Sequence, residues 1–250
     1  MVCLHGFTGS WRVWELVLGQ LERHHDVLAP TLPDHVGGPP VRDHVSTDEM
    51  LDAVERMLDD AGFATAHLVG NSLGGYITLR LAQRGRARSV VALAPAGGWA
   101  YDDDTLEPTL ARFTEWQKAF RALAGYPDAI VRTREGRQRV TSAMTARFEH
   151  IPPELIVHVL NATAFCPGTQ PLIDTALREG YALDAERITC PVRVLWGTAD
   201  SILPWPSTAA RYRHEWLPHA DWVELDGVGH CPQLDVPLET AQLILGFTGG

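Results

Sequence analysis

The sequence predicts an α/β protein whose sheet is mostly parallel and doubly wound, with about six strands. Two observations predict this fold class: short apolar runs alternate with amphipathic helical segments, and 250 residues are enough for one substantial core. Strands that alternate with helices form a parallel sheet that helices cover on both faces. The predicted strands are residues 1–4, 25–29, 66–69, 89–94, 192–196 and 221–225.

The helices of this predicted core carry start and stop signals. Ser10 is a candidate N-cap for one helix, and Ser46 and Glu49 form a capping-box pattern at the start of another. Gly62 is placed to end that second helix, because glycine readily takes the left-handed conformation that follows a helix. The last helix is predicted to begin at about Pro237.

Residues 97–185 follow a different pattern, in which helical segments recur without a clear strand. The predicted helices of this region are residues 110–123, 137–148 and 153–160. A helical insertion between two strands of a parallel sheet is a candidate lid. We therefore predict a core made of residues 1–96 and 186–250, and a helical lid or cap made of residues 97–185.

Composition limits the partners that this chain can have. Its net charge of −10, with no basic cluster, argues against nucleic acid or an anionic membrane as a partner. No apolar run is long enough to span a membrane and no signal peptide precedes the first strand, so we expect a cytoplasmic protein. The four cysteines lack zinc-site spacing, and no phosphate-binding or metalloprotease motif occurs. We expect no metal and no cofactor.

A candidate nucleophile lies where a predicted strand turns into a helix. Gly70-Asn71-Ser72-Leu73-Gly74 matches the G-x-S-x-G pattern, in which the serine takes strained backbone angles and its flanks need glycine to avoid collisions. This geometry lifts the serine hydroxyl clear of the sheet, at the positive end of a helix. Because isolated matches to this pattern are common, the assignment of Ser72 depends on its partners.

Candidate partners for Ser72 follow two later strands. A serine nucleophile needs a base, a group that orients the base, and an oxyanion hole. His230, in a glycine-rich loop after the last strand, is the candidate base, and Asp200, after the preceding strand, is the candidate orienting carboxylate. Asp226, four residues before His230, is the rival carboxylate. The chain order serine, aspartate, histidine is the order recorded for this type of elbow.

The chain resembles the α/β-hydrolase superfamily in four separated blocks. These blocks are His5-Gly6-Phe7, the elbow, Gly197-Thr198-Ala199-Asp200 and Gly229-His230. The similarity covers nearly the whole chain except the lid. Family members usually carry glycine where Asp34 stands, and we expect the left-handed turn to survive because aspartate tolerates it better than most residues.

The resemblance implies a role for each of these residues. Ser72 is expected to be the nucleophile, His230 the general base and Asp200 its partner. The backbone N–H groups of Phe7 and Leu73 are expected to form the oxyanion hole. A serine at the elbow also argues for excluding the aspartate-nucleophile branches of the family, the haloalkane dehalogenases and the epoxide hydrolases.

Aromatic residues of the lid are candidates for an apolar acyl or aryl site. The predicted pocket residues are Trp99, Phe113, Trp116, Phe165 and Leu203. Three lid arginines are candidates for meeting a substrate carboxylate, namely Arg112, Arg121 and Arg132.

The predicted function is that of a cofactor-free serine hydrolase, which cleaves a small apolar ester or related acyl compound through an acyl-enzyme intermediate. Two alternatives stay open at this point. One is a carbon–carbon-bond hydrolase of ring-fission products, whose elbow is similar. The other is a ligand-binding receptor that retains the triad.

The resemblance also raises a question about the start of the sheet. The family normally has two strands before the strand that carries His5, whereas this sequence begins inside that strand. We therefore expect residues 25–29 to form an edge with unpaired backbone groups, which favours pairing with another chain. The prediction is a homodimer through His25–Ala29, or an edge covered by another segment such as the C-terminus.

Overall fold

The computed structural model describes residues 1–40 and 46–249, and its centre is a five-stranded sheet in which all pairs are parallel. The strands neighbour one another in the order in which they occur along the chain. They are β1 (Val2–Leu4), β2 (Ala66–Asn71), β3 (Ala87–Leu93), β4 (Val192–Gly197) and β5 (Asp221–Leu225).

The segment at residues 25–29 forms one bridge and not a sixth strand. Leu28 pairs in parallel with Val2, with its N–H donating to the carbonyl of Met1 at 2.9 Å and its own carbonyl accepting from Cys3 at 2.8 Å. Two residues later the next donor of a parallel ladder would be the N–H of Pro30, which proline lacks. The pairing therefore stops, and the sheet has five strands where about six were expected.

Helices cover both faces of the sheet, as the alternating pattern predicts. In chain order they are α1 (Glu15–Leu21), α2 (Thr47–Asp60), α3 (Leu73–Gln83), α4 (Leu106–Leu123), α5 (Pro127–Val131), α6 (Arg134–Thr141), α7 (Pro153–Phe165), α8 (Thr169–Glu179), α9 (Pro232–Asp235) and α10 (Pro237–Thr248). Val90 belongs to the core cluster that contains α2 and α3, whereas its neighbour Val91 belongs to the cluster that contains α1 and α10. This alternation of strand residues between two cores is that of a doubly wound sheet.

The predicted caps and turns are confirmed. The hydroxyl of Ser46 accepts from the N–H of Glu49 at 3.1 Å, and the Glu49 carboxylate accepts from the N–H of Ser46 at 2.9 Å, which completes the capping box of α2. Gly62 follows α2 with φ 79°. Asp34 has φ 58°, the left-handed conformation expected at a position where family members carry glycine.

Helices α4–α8 lie between β3 and β4 and form the helical insertion. The pattern at 137–148 predicts one long helix, but α6 ends at Thr141, and α5 and α8 were not predicted. Beyond α6 the backbone bonds to the loop after β5 instead, for example from the N–H of Cys231 to the carbonyl of Met144 at 2.8 Å. No helix in the described ranges 1–40 and 46–249 is long and apolar enough to cross a membrane.

Candidate active site

Ser72 lies at the turn between β2 and α3 with φ 55° and ψ −117°. A non-glycine residue takes such angles only under constraint from its surroundings. A Cβ atom at Gly70 would overlap the carbonyl oxygen of Gly74, and a Cβ atom at Gly74 would overlap the carbonyl oxygen of Leu4. Close approach of backbone to backbone therefore explains both flanking glycines, and the turn leaves the Ser72 side chain on the wall of a cavity.

His230 and Asp200 form a buried hydrogen-bonded pair at the ends of β5 and β4. The Nδ1 atom of His230 lies 2.6 Å from Oδ2 of Asp200. The second carboxylate oxygen of Asp200 accepts from the N–H groups of Ile202 and Leu203, both at 2.8 Å. Because the carboxylate only accepts when ionised, it favours the imidazole tautomer with the proton on Nδ1, which leaves Nε2 free to act as a base.

The rival carboxylate, Asp226, points to a different partner. It is exposed and accepts from the hydroxyl of Thr198 at 3.3 Å. The geometry therefore pairs His230 with Asp200.

Asn71, next to Ser72, connects the turn between β2 and α3 to the histidine loop. Its buried side-chain amide donates to the carbonyl of His230 at 2.9 Å and to the carbonyl of Leu93 at 3.2 Å. Its oxygen accepts from the side chains of Gln233 at 3.2 Å and Cys231 at 3.3 Å. No role was predicted for Asn71, because none of these partners is near it in the chain.

Asp235 is a second residue that supports the site and was not predicted from the sequence. Its side chain is 2% exposed, and Oδ2 accepts from the N–H groups of Gly229 at 2.6 Å and Ala146 at 2.9 Å. Oδ1 accepts from the N–H of Arg147 at 2.7 Å. One carboxylate thus joins the histidine loop to the end of the α6 region of the insertion. The only hint in the sequence is a carboxylate five residues after His230.

The loop after β1 lies against the elbow, so that Phe7 of this loop and Leu73 of α3, the two predicted oxyanion donors, are both close to Ser72. Within the described residues the N–H of Phe7 has no hydrogen-bond partner, and Leu73 opens α3, where N–H groups lack intrahelical acceptors. A Cβ atom at Gly6 would lie 3.1 Å from Cβ of Ser72, so glycine allows this close approach. His5 fixes the loop, since its Nδ1 donates to the carbonyl of Gly6 at 2.7 Å and its Nε2 accepts from Leu32 at 2.9 Å.

Burial keeps the histidines behind this loop neutral. Desolvation, with a smaller contribution from neighbouring His35, holds the pKa of His5 well below its usual range. Desolvation also lowers the pKa of His35 to about 4. The two rings pack edge to face with centroids 4.9 Å apart. His5 and His35 therefore support the loop as neutral groups.

Two apolar chambers meet at Ser72. Both are lined by Phe7, Phe113 and Ile202 as well as by Ser72 itself. The first chamber, about 60 Å³, lies toward α3 and α8, and its further walls include Leu73, Tyr76, Trp99, Leu172, Tyr181 and Leu203. The second chamber, about 50 Å³, lies toward α6, and its further walls include Val13, Trp116, Phe120, Met144, Thr163 and His230.

Four of the five predicted pocket residues line these chambers. Trp99 and Leu203 line the first chamber, Trp116 lines the second, and Phe113 lines both. Phe165 lines neither, because it is the last residue of α7 and its side chain is 56% exposed.

None of the three lid arginines lines either chamber. Arg112 donates to the carbonyl of Ser201 at 2.8 Å and stacks over Trp116, while Arg121 donates to the carbonyl of Ala164 at 2.7 Å. Arg132 is exposed. In the described part of the chain, no group of three or more histidine, cysteine, aspartate or glutamate side chains is placed to hold a metal ion.

Comparison with known proteins agrees with this fold. The model of the alpha/beta hydrolase family matches residues 1–243. The chain is 31% identical to epoxide hydrolase EphH of Mycobacterium tuberculosis, over 81% of this chain and 95% of that protein. It is 30% identical to the pimeloyl-(acyl-carrier protein) methyl ester esterase of Aromatoleum aromaticum, over 98% of this chain and 96% of that protein.

Among solved structures, carboxylesterase CesB of Bacillus subtilis superposes with a TM-score of 0.76 at 18% identity, over 100% of this chain and 83% of that chain. At this identity the similarity extends to the fold alone. Given the family match over almost the whole length, together with the parallel sheet and its nucleophile elbow, the chain belongs to the α/β-hydrolase family and is a hydrolase.

Proposed function

We propose that the protein is a serine hydrolase that cleaves small apolar esters or related acyl compounds through an acyl-enzyme intermediate. The observation that carries this proposal is the buried His230–Asp200 pair, with 2.6 Å between Nδ1 and Oδ2, in a wall of the cavity that Ser72 also lines. The relative from Aromatoleum aromaticum is named a methyl ester esterase, which is consistent with this proposal.

The proposed reaction has two steps. His230 accepts the hydroxyl proton of Ser72 at Nε2 while Oγ attacks the ester carbonyl, and the N–H groups of Phe7 and Leu73 stabilise the resulting oxyanion. The tetrahedral intermediate collapses as His230 returns the proton to the leaving alcohol. Water then repeats the sequence on the acyl-enzyme, which releases the acid. Asp200 stabilises the imidazolium in both steps.

In this proposal one chamber holds the acyl part of the substrate and the other holds the alcohol part. His230 lines the second chamber and must protonate the leaving alcohol, so the alcohol occupies that chamber. The acyl arm then occupies the first chamber, whose walls include Leu73, the residue after the nucleophile. We further propose that residues 97–185 act as a lid, because Trp99, Phe113 and Trp116 from this region wall the chambers and exclude water.

Carbon–carbon-bond hydrolysis is the second candidate within the same fold. A ring-fission product carries a carboxylate, which needs a cation nearby when it is buried. The positions of Arg112 and Arg121, outside both chambers, favour the ester over this candidate. The ratio of turnover of a vinylogous diketo acid to turnover of a simple aryl ester separates the two.

The name of one relative supports epoxide hydrolysis, but the chemistry of a serine nucleophile does not fit this reaction well. The serine at the elbow was expected to exclude the epoxide hydrolases. Because a relative carries that name, similarity to the family does not exclude them. Attack of a carboxylate on an epoxide gives an ester, which water can hydrolyse. Attack of the Ser72 hydroxyl would instead give an ether, which water does not hydrolyse. Turnover of styrene oxide by the Ser72→Ala variant would show an epoxide reaction that bypasses the serine.

The proposal is tested with a fluorophosphonate probe and a chain-length series of p-nitrophenyl esters. We expect stoichiometric labelling of the protein at Ser72, no labelling of Ser72→Ala, and turnover that depends on acyl length. Labelling that persists in Ser72→Ala contradicts the assignment of the nucleophile. One equivalent of product followed by arrest would favour the ligand-binding receptor.

We also propose self-association through the edge at residues 25–29. Only Leu28 in this segment bridges to β1, and His25 lies 3.0 Å from the hydroxyl of Thr248 in the C-terminal helix α10. Sedimentation at two or more concentrations tests the proposal. A concentration-independent monomer contradicts it, and Val27→Lys, which places a charge on the edge, should weaken any dimer.

A further inference from the structure

The second chamber contains one pair of hydroxyl groups that the proposed reaction does not use. Thr8, in the loop after β1, and Thr163, in α7, both line this chamber, and their Oγ1 atoms lie 3.4 Å apart. Both residues are buried, with 4% and 7% of their surface exposed. Neither hydroxyl has another hydrogen-bond partner within the described residues.

This pair has unused hydrogen-bonding capacity. A hydroxyl donates one hydrogen bond and accepts up to two, so whichever threonine accepts from the other still has its own proton to donate. The separation of 3.4 Å is also long for a bond between two hydroxyls, which is usually near 2.8 Å. A bound oxygen atom would therefore gain a donor without displacing a strong bond.

The other described residues that line this chamber are mostly apolar, among them Val13, Phe120 and Val140. The amide of Asn71, which also lines the chamber, is already bonded to two carbonyls and two side chains. The hydroxyl pair is therefore a polar spot on this side of Ser72 that the proposed reaction leaves unused.

Among the described residues that line this chamber, none is a lysine, arginine, aspartate or glutamate. His230 can carry a charge, but in the proposed reaction its proton goes to the leaving oxygen. An ionised leaving group would therefore have no fixed counter-ion among these residues and would lose its hydration. A neutral oxygen would pay little, because Thr8 or Thr163 replaces the hydrogen bond that it gives up with water.

We propose that the second chamber selects leaving groups that are uncharged and carry a neutral hydrogen-bonding oxygen, such as an ether, carbonyl or hydroxyl, bound by Thr8 and Thr163. This inference rests on the proposed function, which assigns the leaving alcohol to the second chamber. Thr163 and Thr8 are specificity-determining residues in this account, and take no part in bond breaking.

The test compares esters with a common acyl group and leaving alcohols of equal length. One alcohol is a plain alkyl chain, and the others replace one methylene at successive positions by an ether oxygen. We expect kcat/KM for one ether position to exceed that for the alkyl ester by about 5- to 10-fold, the effect of one hydrogen bond. In the double variant Thr8→Val/Thr163→Val, which has neither hydroxyl, this preference should fall to the ratio set by the intrinsic reactivity of the two esters.

Because the wild-type protein and the variant are compared on the same esters, the intrinsic reactivity of each ester cancels. Thr208→Val is the matched control, because Thr208 is buried and hydrogen-bonded to the carbonyl of Pro204 but lines neither chamber. This control should keep the wild-type ether preference.

Three results would overturn the inference: no preferred ether position, a preference that survives in Thr8→Val/Thr163→Val, or an alcohol ending in a carboxylate that is released as fast as the matching ether. Failure of the proposed function looks different, since it would remove ester turnover and fluorophosphonate labelling altogether.

Discussion

The two groups that the proposed reaction uses, Ser72 and His230, are held in place by different means. Ser72 is positioned by backbone alone, through a left-handed φ of 55° and glycines where any Cβ atom would overlap the main chain. His230 is positioned by side chains from distant parts of the sequence, among them Asp200 and Asn71. The difference teaches that the position of the proposed nucleophile is a local feature, whereas that of the proposed base depends on the assembled fold.

The largest expected effect comes from removing either reacting side chain. His230→Ala should lower kcat by about 10³-fold or more, nearly as much as Ser72→Ala, since each is useless without the other. The double variant should be little slower than either single one. Measurement of kcat with a p-nitrophenyl ester, beside thermal melting to show that each variant folds, checks this. Losses that add in the double variant would show that the two groups act separately.

The next effect tests the side-chain support of His230. Asp200→Asn should lower kcat by about 10²-fold or more, because an amide oxygen or N–H₂ group at this position no longer stabilises the imidazolium or selects its tautomer. Asp226→Asn is the matched control, since Asp226 is exposed and bonds only to Thr198 among the described residues. Full activity in Asp200→Asn with loss in Asp226→Asn would transfer the orienting role to Asp226.

A smaller effect is expected at Asp235, which acts on His230 through Gly229. Asp235→Ala should lower kcat about 10-fold, because three backbone N–H groups lose their acceptor and the loop loosens. In Asp235→Asn the amide oxygen can still accept from Gly229 and Ala146, so this variant should recover most of the rate. Equal kcat loss in the two variants would contradict a positioning role, and thermal melting separates it from a general loss of stability.

The same difference explains what the sequence could predict. The elbow, the strand ends that carry Asp200 and His230, and the capping box of α2 are patterns within a few residues, and they predicted these elements correctly. The supports from Asn71 and Asp235 join segments up to 162 residues apart, so no local pattern predicts them.

The errors have equally local physical causes. The pattern at residues 25–29 predicts a strand, but Pro30 ends the ladder after one bridge. The helical pattern of residues 137–148 is overridden after Thr141 by bonds to the histidine loop. Phe165 was predicted to line the pocket because it is an aromatic residue of the lid, yet its place in the lid does not tell which face of α7 meets the cavity.

The smallest expected effect concerns the oxyanion loop, which rests on the buried neutral histidines His5 and His35. Both have a pKa that burial lowers, to about 4 for His35. Above the unfolded pKa of about 6.5 neither state is protonated, so stability does not depend on these groups. As the pH falls below 6.5 the unfolded chain takes up protons that the folded protein does not, and stability is lost at about 1.4 kcal/mol per pH unit for each histidine until the folded pKa is reached.

Chemical denaturation at pH 7.5 and 5.5 measures this loss. His35→Phe should reduce it by about 1.4 kcal/mol, because phenylalanine keeps the ring packing against His5 but takes up no proton in either state. His219→Asn, which removes an exposed histidine, is the control and should leave the loss unchanged. If His35→Phe loses as much stability on acidification as the wild-type protein, His35 is not buried in its neutral form, and the loop that presents Phe7 must be held in another way.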